Sequence, residues 1–193
     1  SFPRMALVAL TAPLGLIGVT LALLIFARAL FGVWTKHRAA QAGERLQDAA
    51  ARALPEDECY LEVGSYKGRS MSAAVQGITD KTFYIVENYL EFGMQGQQAR
   101  EELDRNLATH ARDVDVRLLE GNCFSLLHRP GVIDRPVGVY FYDGEHTLLS
   151  HYLALAVVEP LLADEALVLI DDASWPVVQK AHKLFLQRHK GWE

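Results

Sequence analysis

Short apolar runs alternate with longer helix-compatible stretches from residue 56 to the end of the chain. Runs of the strand type occupy residues 59–63, 82–86, 114–118, 137–142 and 166–170, and helical stretches occupy residues 64–77, 95–111, 148–162 and 176–189. Strands that alternate with helices in this way are typical of a parallel sheet with crossover helices. The pattern therefore predicts an α/β fold with a Rossmann-like, doubly wound and mostly parallel sheet.

The N-terminal part of the chain has a different pattern. Residues 5–27 carry no charged side chain, and a helix of that length crosses a hydrocarbon core of roughly 30 Å. Only Arg4 precedes the run, whereas three basic residues follow it, so the positive-inside rule puts the C-terminal side in the cytoplasm. We expect residues 1–34 to form a hydrophobic helix that anchors the chain in a membrane. A buried helix in a soluble cytoplasmic protein is the alternative, and the length of the run disfavours a cleaved signal peptide.

The segment at residues 35–55 predicts an amphipathic linker helix between the apolar run and the main domain. Leu46, Ala49, Ala50 and Leu54 share one face of such a helix. Pro55 marks the boundary, so the domain itself spans residues 56–193.

Composition and charge narrow the function classes. Half of the residues are apolar and 22% are charged, which excludes a disordered chain. The formal net charge is −5, and no cluster of basic residues is dense enough to neutralise a run of phosphates, which argues against a nucleic-acid partner. Cys59 and Cys123 are too few for a disulfide framework or a structural zinc site.

Acidic residues follow several of the predicted strands. Glu87 ends the second strand, Asp143 follows the fourth, and Asp171 and Asp172 follow the fifth. Ligands of an open α/β sheet bind at the carboxyl edge of its strands. The repetition therefore indicates a ligand site at this edge.

The turn after the first strand reads Glu62-x-Gly64-x-x-x-Gly68. Glycines at these positions let the backbone turn sharply and approach a ligand closely. A dinucleotide site would have a different glycine spacing, and the Glu62 carboxylate would repel a pyrophosphate but attract a cationic group. Glu87 is placed to accept hydrogen bonds from two ribose hydroxyls. The turn therefore predicts a nucleoside cofactor, with a purely structural turn as the alternative.

The stretch YLEVGSYKGRS at residues 60–70 resembles motif I of class I S-adenosylmethionine-dependent methyltransferases, in a form similar to catechol O-methyltransferase. The stretch at residues 140–175 resembles the O-methyltransferases of methyltransferase family 24, near the macrocin-type enzymes. The resemblance implies that Glu62, Gly64, Tyr66 and Ser70 contact the methionine part of S-adenosylmethionine, that Glu87 binds the ribose, and that Asn88, Asn122 and Cys123 flank the adenine. The full predicted cofactor set is Glu62, Gly64, Ser65, Tyr66, Gly68, Ser70, Glu87, Asn88, Asn122, Cys123 and Asp143.

Three carboxylates, those of Asp143, Asp171 and Asp172, meet at one sheet edge if the fourth and fifth strands are neighbours. They would repel each other unless a cation neutralises them, and oxygen ligands favour Mg²⁺. The resemblance implies the same trio as metal ligands that orient the acceptor hydroxyl. Helix capping by Asp171 and Asp172 before Pro176 is the alternative.

Proton removal from the acceptor hydroxyl requires a base, and Glu145 and His146 are the candidates. The macrolide-type relatives carry an acidic residue at the position of Glu145, which favours Glu145 as the base. For His146 a structural hydrogen bond is an equal alternative. For Trp175, packing at a helix start is favoured over a platform for the substrate.

Class I methyltransferases usually finish with a sixth and a seventh strand, and this chain stops where a sixth would begin. Either the sequence is a fragment, or the sheet lacks its last two strands and is finished in another way, for example by a partner chain in a homo-oligomer. The leading hypothesis is a metal-assisted O-methyltransferase for a hydroxylated small molecule, whose specificity would lie in the loop at residues 89–96. The rivals are a truncated, non-catalytic S-adenosylmethionine-binding or membrane-attached interaction module, and an NAD-linked oxidoreductase.

Overall fold

The elements of residues 42–192, the part of the chain that the computed structural model describes, follow the alternating pattern of the sequence. In chain order they are a helix at residues 42–53 (α1), β1 Cys59–Val63, α2 Arg69–Ala74, β2 Thr82–Glu87, a 3₁₀ turn Tyr89–Phe92, α3 Gly93–His110, β3 Asp115–Glu120, α4 Cys123–Leu127, β4 Val137–Tyr142, α5 Leu148–Val158, a 3₁₀ turn Glu159–Leu161, β5 Leu162–Ile170 and α6 Pro176–Arg188.

The five described strands form one sheet in the order β3-β2-β1-β4-β5, and every neighbouring pair is parallel. All residues of β1, β2 and β4 are buried, as expected for parallel strands that helices cover on both faces. The prediction of a parallel α/β sheet is confirmed. The strand order reverses between β1 and β4, and a ligand crevice is expected at the carboxyl edge of such a switch point.

Alternate residues of the strands contribute to two separate hydrophobic cores, one on each face of the sheet. On one face, Tyr60, Phe83 and Phe141 pack with residues of α1, α2 and α3. On the other face, Leu61 and Tyr140 pack with residues of α4 and α5. The sheet is therefore doubly wound, and both cores hold its carboxyl edge in place.

The buried face of α1 and of the residue after it differs from the predicted face at two of four positions. Gln47, Ala50, Ala51 and Leu54 are buried, whereas Leu46 is 51% exposed and Ala49 is also exposed. The predicted and observed stripes share two positions and both follow helical spacing. The small side chains of Ala50 and Ala51 allow the helix to lie close to the sheet, which the apolar pattern alone does not reveal.

Several element bounds also differ from the prediction, most clearly those of β5 and α5. The strand β5 begins at Leu162, four residues early, because its first residue already pairs with Val137 beyond an irregularity in the register. The helix α5 ends at Val158, since Pro160 forces a 3₁₀ turn there. The short helix α4 was not predicted.

The predicted membrane helix at residues 1–34 and the beginning of the linker helix lie outside the described residues. Between residues 42 and 192, no helix combines the length and the apolar character that a bilayer span needs.

Candidate active site

The turn between β1 and α2 depends on two glycines with left-handed backbones. Gly64 has a φ of 92° and Gly68 a φ of 78°, values that residues with a side chain rarely adopt. A Cβ atom at residue 64 would collide with the backbone carbonyl of Asp143. The turn therefore lies directly against the end of β4.

Backbone hydrogen bonds join the carboxyl ends of all five strands in one row. In each case a backbone N–H donates to a backbone carbonyl at the end of the neighbouring strand. Gly121 donates to Glu87 at 2.9 Å and Gly64 to Val86 at 3.1 Å. Asp143 donates to Val63 at 2.9 Å and Asp171 to Tyr142 at 3.0 Å. The residues predicted to bind cofactor and metal follow these strand ends. The row therefore fixes their backbones relative to each other.

Glu87, the last residue of β2, supports the turn with its side chain. Its carboxylate accepts hydrogen bonds from the backbone N–H groups of Tyr66 at 2.6 Å and of Asn88 at 2.8 Å. Burial raises the pKa of Glu87, and these two donors oppose the rise. A carboxylate oxygen has two lone pairs, so Glu87 keeps the capacity to accept further hydrogen bonds from a ligand.

Glu62 is fully buried within β1. One of its oxygens accepts a hydrogen bond from the Ser70 hydroxyl at 2.6 Å, and the other, Oε2, has no partner. Burial raises the pKa of this carboxyl to about 7, against the lowering effects of the Ser70 hydroxyl and of the neighbouring Ser65 hydroxyl, although Ser65 makes no hydrogen bond of normal geometry to it. A buried carboxylate oxygen without a partner is costly, and a ligand ammonium group is the kind of partner that would satisfy it.

A cleft of about 510 Å³ opens at the carboxyl edge of the sheet, a size usual for small-molecule sites. Its lining includes nine of the predicted site residues: Gly64, Tyr66, Glu87, Asn88, Asn122, Cys123, Asp143, Glu145 and His146. The other predicted residues do not line it: Glu62, Ser65, Gly68, Ser70, Asp171 and Asp172. The structure thus brings the two sequence motifs together around one cavity.

The cleft has further lining residues that the sequence analysis did not assign to the site: Val63, Val86, Glu91, Gly121, Phe124, Tyr142 and Gly144. Val63 and Tyr142 end strands and Gly121 follows one directly, and for these three that position was the available signal. Phe92, from the loop expected to set specificity, also lines the cleft, and its ring lies 5.6 Å from that of Tyr66. The site is therefore more aromatic than the motifs alone suggest.

The residues expected near the adenine are partly engaged within the protein. The Asn122 side-chain oxygen accepts a hydrogen bond from the Ser125 N–H at 3.1 Å and caps α4. The Asn88 amide donates to Glu91 at 2.5 Å. Burial raises the pKa of the Cys123 thiol to about 11, so this group is a neutral thiol near pH 7. The side-chain oxygen of Asn122 is therefore engaged in the helix cap, whereas Asn122 as a whole still lines the cleft.

The carboxyl groups of Asp143 and Asp171 lie close enough to share a hydrogen bond. Burial raises the pKa of Asp143 most, and the charges of Asp171, Glu62 and Asp172 raise it further. Among residues 42–192, no three acidic, histidine or cysteine side chains are arranged to hold a metal ion as they stand. Two adjacent carboxyl groups that repel each other nevertheless form a donor set that suits a hard divalent cation.

Neither aspartate after β5 caps α6. The residue at the N-cap of this helix is Trp175, and no side chain caps it. Asp172 has a φ of 48°, and its carbonyl accepts a hydrogen bond from the Trp175 N–H at 2.9 Å. Helix capping therefore does not explain this acidic pair. Trp175 itself is half exposed, and its ring lies 5.3 Å from that of His146, so it is not a buried packing residue.

The two candidate bases have different surroundings. Glu145 is exposed, and its backbone carbonyl accepts hydrogen bonds from the hydroxyls of Tyr142 and Ser150. The Nε2 atom of His146 is buried without a hydrogen-bond partner, 3.5 Å from Asp172 and 3.9 Å from Asp143. His146 thus lies between the acidic residues and the cleft, whereas Glu145 reaches solvent at its mouth.

The parallel sheet, its switch point and the cleft define an α/β protein with a candidate ligand site at the carboxyl edge of the sheet, and comparison with known proteins identifies the family. The family model for methyltransferase family 24, described as a methyltransferase domain, matches residues 61–173. The chain therefore belongs to this family of class I S-adenosylmethionine-dependent methyltransferases, as its motifs predict. No curated protein matches the sequence.

Solved structures with the same fold are distant in sequence. The O-methyltransferase TomG from Streptomyces achromogenes, involved in tomaymycin synthesis and solved with S-adenosylmethionine, has a TM-score of 0.54 and 20% identity over 80% of this chain and 70% of that one. An O-methyltransferase from Bacillus cereus, solved with S-adenosylhomocysteine, has a TM-score of 0.56 and 14% identity over 76% and 67%. The precorrin-6y C5,15-methyltransferase from Geobacter metallireducens has a TM-score of 0.55 and 19% identity over 76% and 69%. Likeness at this identity establishes the fold, not the atom that receives the methyl group.

Proposed function

We propose that this protein transfers the methyl group of S-adenosylmethionine to a hydroxyl group of a small molecule, with assistance from a divalent cation. The observation that carries the proposal is the cleft, which joins the Gly64–Gly68 turn to the acidic strand ends. Glu62 would accept a hydrogen bond from the amino group of the cofactor through its free oxygen, and Glu87 would accept those of the ribose hydroxyls.

The acceptor would lie on the side of Asp143, Glu145 and His146. Asp143 and Asp171 would hold the cation, and Asp172 would join them if its side chain turned from His146. A bound Mg²⁺ lowers the pKa of a coordinated hydroxyl and orients it. Glu145 or His146 would remove the proton, and the walls of the cleft would align the two reactants, which supplies much of the rate in a displacement of this kind.

Calorimetric titration with S-adenosylhomocysteine and with NAD, each with and without Mg²⁺, tests the proposal. We expect S-adenosylhomocysteine to bind and NAD to give no heat. Failure of S-adenosylhomocysteine to bind would overturn the assignment. Binding without any turnover on hydroxylated acceptors would favour the alternative, a non-catalytic module, and turnover that needs no metal would remove the cation from the mechanism.

We also propose that residues 1–34 attach the domain to a membrane with its cleft on the cytoplasmic side. The uncharged run at residues 5–27 and the basic residues after it support this orientation. Recovery of the complete chain in the soluble fraction without detergent would exclude the anchor. A chain that starts at residue 35 should be soluble if the proposal is correct.

A further inference from the structure

Large apolar side chains are exposed around the mouth of the cleft. Ten such side chains are exposed in the described part of the chain, and six of them belong to the turn, the loop and the helix starts at this edge: Tyr66, Leu90, Phe92, Met94, Leu149 and Trp175. We call these six residues the apolar rim. Soluble surfaces rarely concentrate exposed apolar side chains in this way, and such patches mark interaction sites.

The part of the rim after β2 is held in place by the turn. Leu90 is 90% exposed and Met94 82%, although neither lines the cleft. The backbone is held on either side of these two residues, because the Tyr89 hydroxyl donates to the Tyr66 carbonyl at 2.7 Å and Gly96 packs against the Tyr89 carbonyl so closely that a Cβ atom there would collide with it. The two side chains therefore project from an ordered support.

The rest of the rim belongs to the acceptor side of the cleft. Trp175 lies beside His146, and Leu149 is in the first turn of α5, three residues after His146. Tyr66 and Phe92 both contribute to the cleft lining. Two rim residues therefore line the cleft itself, and Trp175 lies against His146, which also lines it.

The chain enters the described domain next to the same turn. The Glu44 carboxylate accepts a hydrogen bond from the Arg69 guanidinium at 2.6 Å, and Arg69 opens α2 directly after Gly68. The sequence before residue 44 contains the uncharged run at residues 5–27. The first helix of the described domain therefore begins at the edge that carries the rim.

We propose that the apolar rim docks on the surface of a lipid bilayer, and that the methyl acceptor is a hydroxylated amphiphile that resides in that bilayer. The second part rests on the proposed function. A cleft of about 510 Å³ has the size of a site for one drug-sized molecule, so a bound nucleoside cofactor would leave room for the reacting group of the acceptor but little for a long hydrocarbon tail. The tail would stay in the lipid, with which the rim is in contact. Because Glu91 lies within the rim segment and the chain has a net charge of −5, insertion rather than attraction to anionic lipids would drive docking.

Docking is tested on the complete chain in phosphatidylcholine vesicles. Met94→Cys carries an environment-sensitive fluorophore, and Leu186→Cys serves as the matched control because Leu186 is also exposed but lies near the far end of α6. Burial raises the pKa of both native thiols, that of Cys59 to about 12, which favours labelling at the introduced cysteine. We expect a blue shift and quenching by spin-labelled lipid at residue 94 only. An equal response at both positions, or none at residue 94, overturns docking.

The acceptor class is tested with catechol and with a catechol that carries a dodecyl chain. The double variant Leu90→Ser, Met94→Ser should lose roughly tenfold in kcat/KM for the dodecyl compound in vesicles, because two apolar side chains no longer enter the lipid. Its kcat/KM for catechol should fall much less, because catechol has no hydrocarbon tail that stays in the lipid, and its affinity for S-adenosylhomocysteine should stay unchanged because neither side chain lines the cleft. An equal loss on both acceptors overturns the assignment of the acceptor. Absence of S-adenosylhomocysteine binding would instead overturn the proposed function. The fluorescence experiment would still decide whether the rim docks on lipid, because it does not depend on turnover.

Discussion

Glu62 is the residue that most directly indicates a bound ligand, because one of its buried carboxylate oxygens has no hydrogen-bond partner within the protein. Burial raises its pKa from 4.5 to about 7, so the folded chain prefers the protonated form. The stability that this proton confers is complete below about pH 4.5 and is lost as the pH rises through 7. A cofactor ammonium group would favour the opposite, ionised form.

We therefore predict that the free energy of unfolding of the ligand-free protein falls between pH 5 and pH 8, with a contribution from Glu62 of up to about 3 kcal/mol. Urea unfolding at several pH values would measure it, and Glu62→Gln should flatten the dependence. The affinity for S-adenosylhomocysteine should rise over the same pH interval in the native chain but not in the variant. An identical pH dependence in both proteins would contradict the prediction.

Asp171 provides a second test at the level of single residues. It is exposed and lies against Asp143, so its charge is available to a cation. We predict that Asp171→Asn weakens Mg²⁺ or Mn²⁺ binding by roughly tenfold or more, because hard cations depend on the number of charged ligands. Calorimetric titration with the metal alone would measure the loss. Asp164→Asn, at the opposite end of β5, is the control, and an equal loss there would show a general charge effect instead.

Single residues were predictable where sequence position alone determines their place. Glu87 and Asp143 could be assigned because residues after parallel strands share one edge of the sheet. Phe124 and Tyr142 were not assigned, since an aromatic residue beside a strand fits a core equally well. Asn122 was placed correctly at the cleft, but its role as the cap of α4 depends on a short helix that has no distinctive pattern.

The turn between β1 and α2 is the element on which the site most depends, and it offers a matched pair of glycines. Gly64 and Gly77 both have left-handed backbones, but a Cβ atom would meet Asp143 at the first and nothing within 4 Å at the second. Gly77→Ala should cost about 1 kcal/mol of stability through backbone strain alone. Gly64→Ala should cost clearly more and abolish the binding of S-adenosylhomocysteine. Thermal unfolding and calorimetry would measure both, and similar behaviour of the two variants would contradict the contact.

Elements as such were predictable because buried parallel strands give continuous apolar runs, and the five runs became the five described strands. The first and last residues of these elements were harder to predict from the sequence. The early start of β5 depends on its pairing with β4, which is a non-local interaction. The shift of the buried face of α1 depends on how closely two alanines let the helix approach the sheet.

At the scale of the whole molecule, a bound cofactor would connect the ends of β1, β2, β3 and β4, which together line the cleft. Ligands suppress the local openings of the segments that they contact. We predict that S-adenosylhomocysteine slows amide hydrogen exchange at these strand ends while α6, which packs on α5, exchanges unchanged. Hydrogen exchange read by mass spectrometry would test this. Uniform slowing, or slowing centred on α6, would place the ligand elsewhere.

The row of backbone hydrogen bonds across the five strand ends also has a thermodynamic consequence. The row links the loop after β1, on the cofactor side, to the loop after β4, on the acidic side, and the backbone of Gly64 lies against the carbonyl of Asp143. A ligand that moves one of these linked loops therefore also changes the binding site formed by the other. Such coupling is reciprocal, so each ligand must alter the dissociation constant of the other by the same factor, whichever of them arrives first.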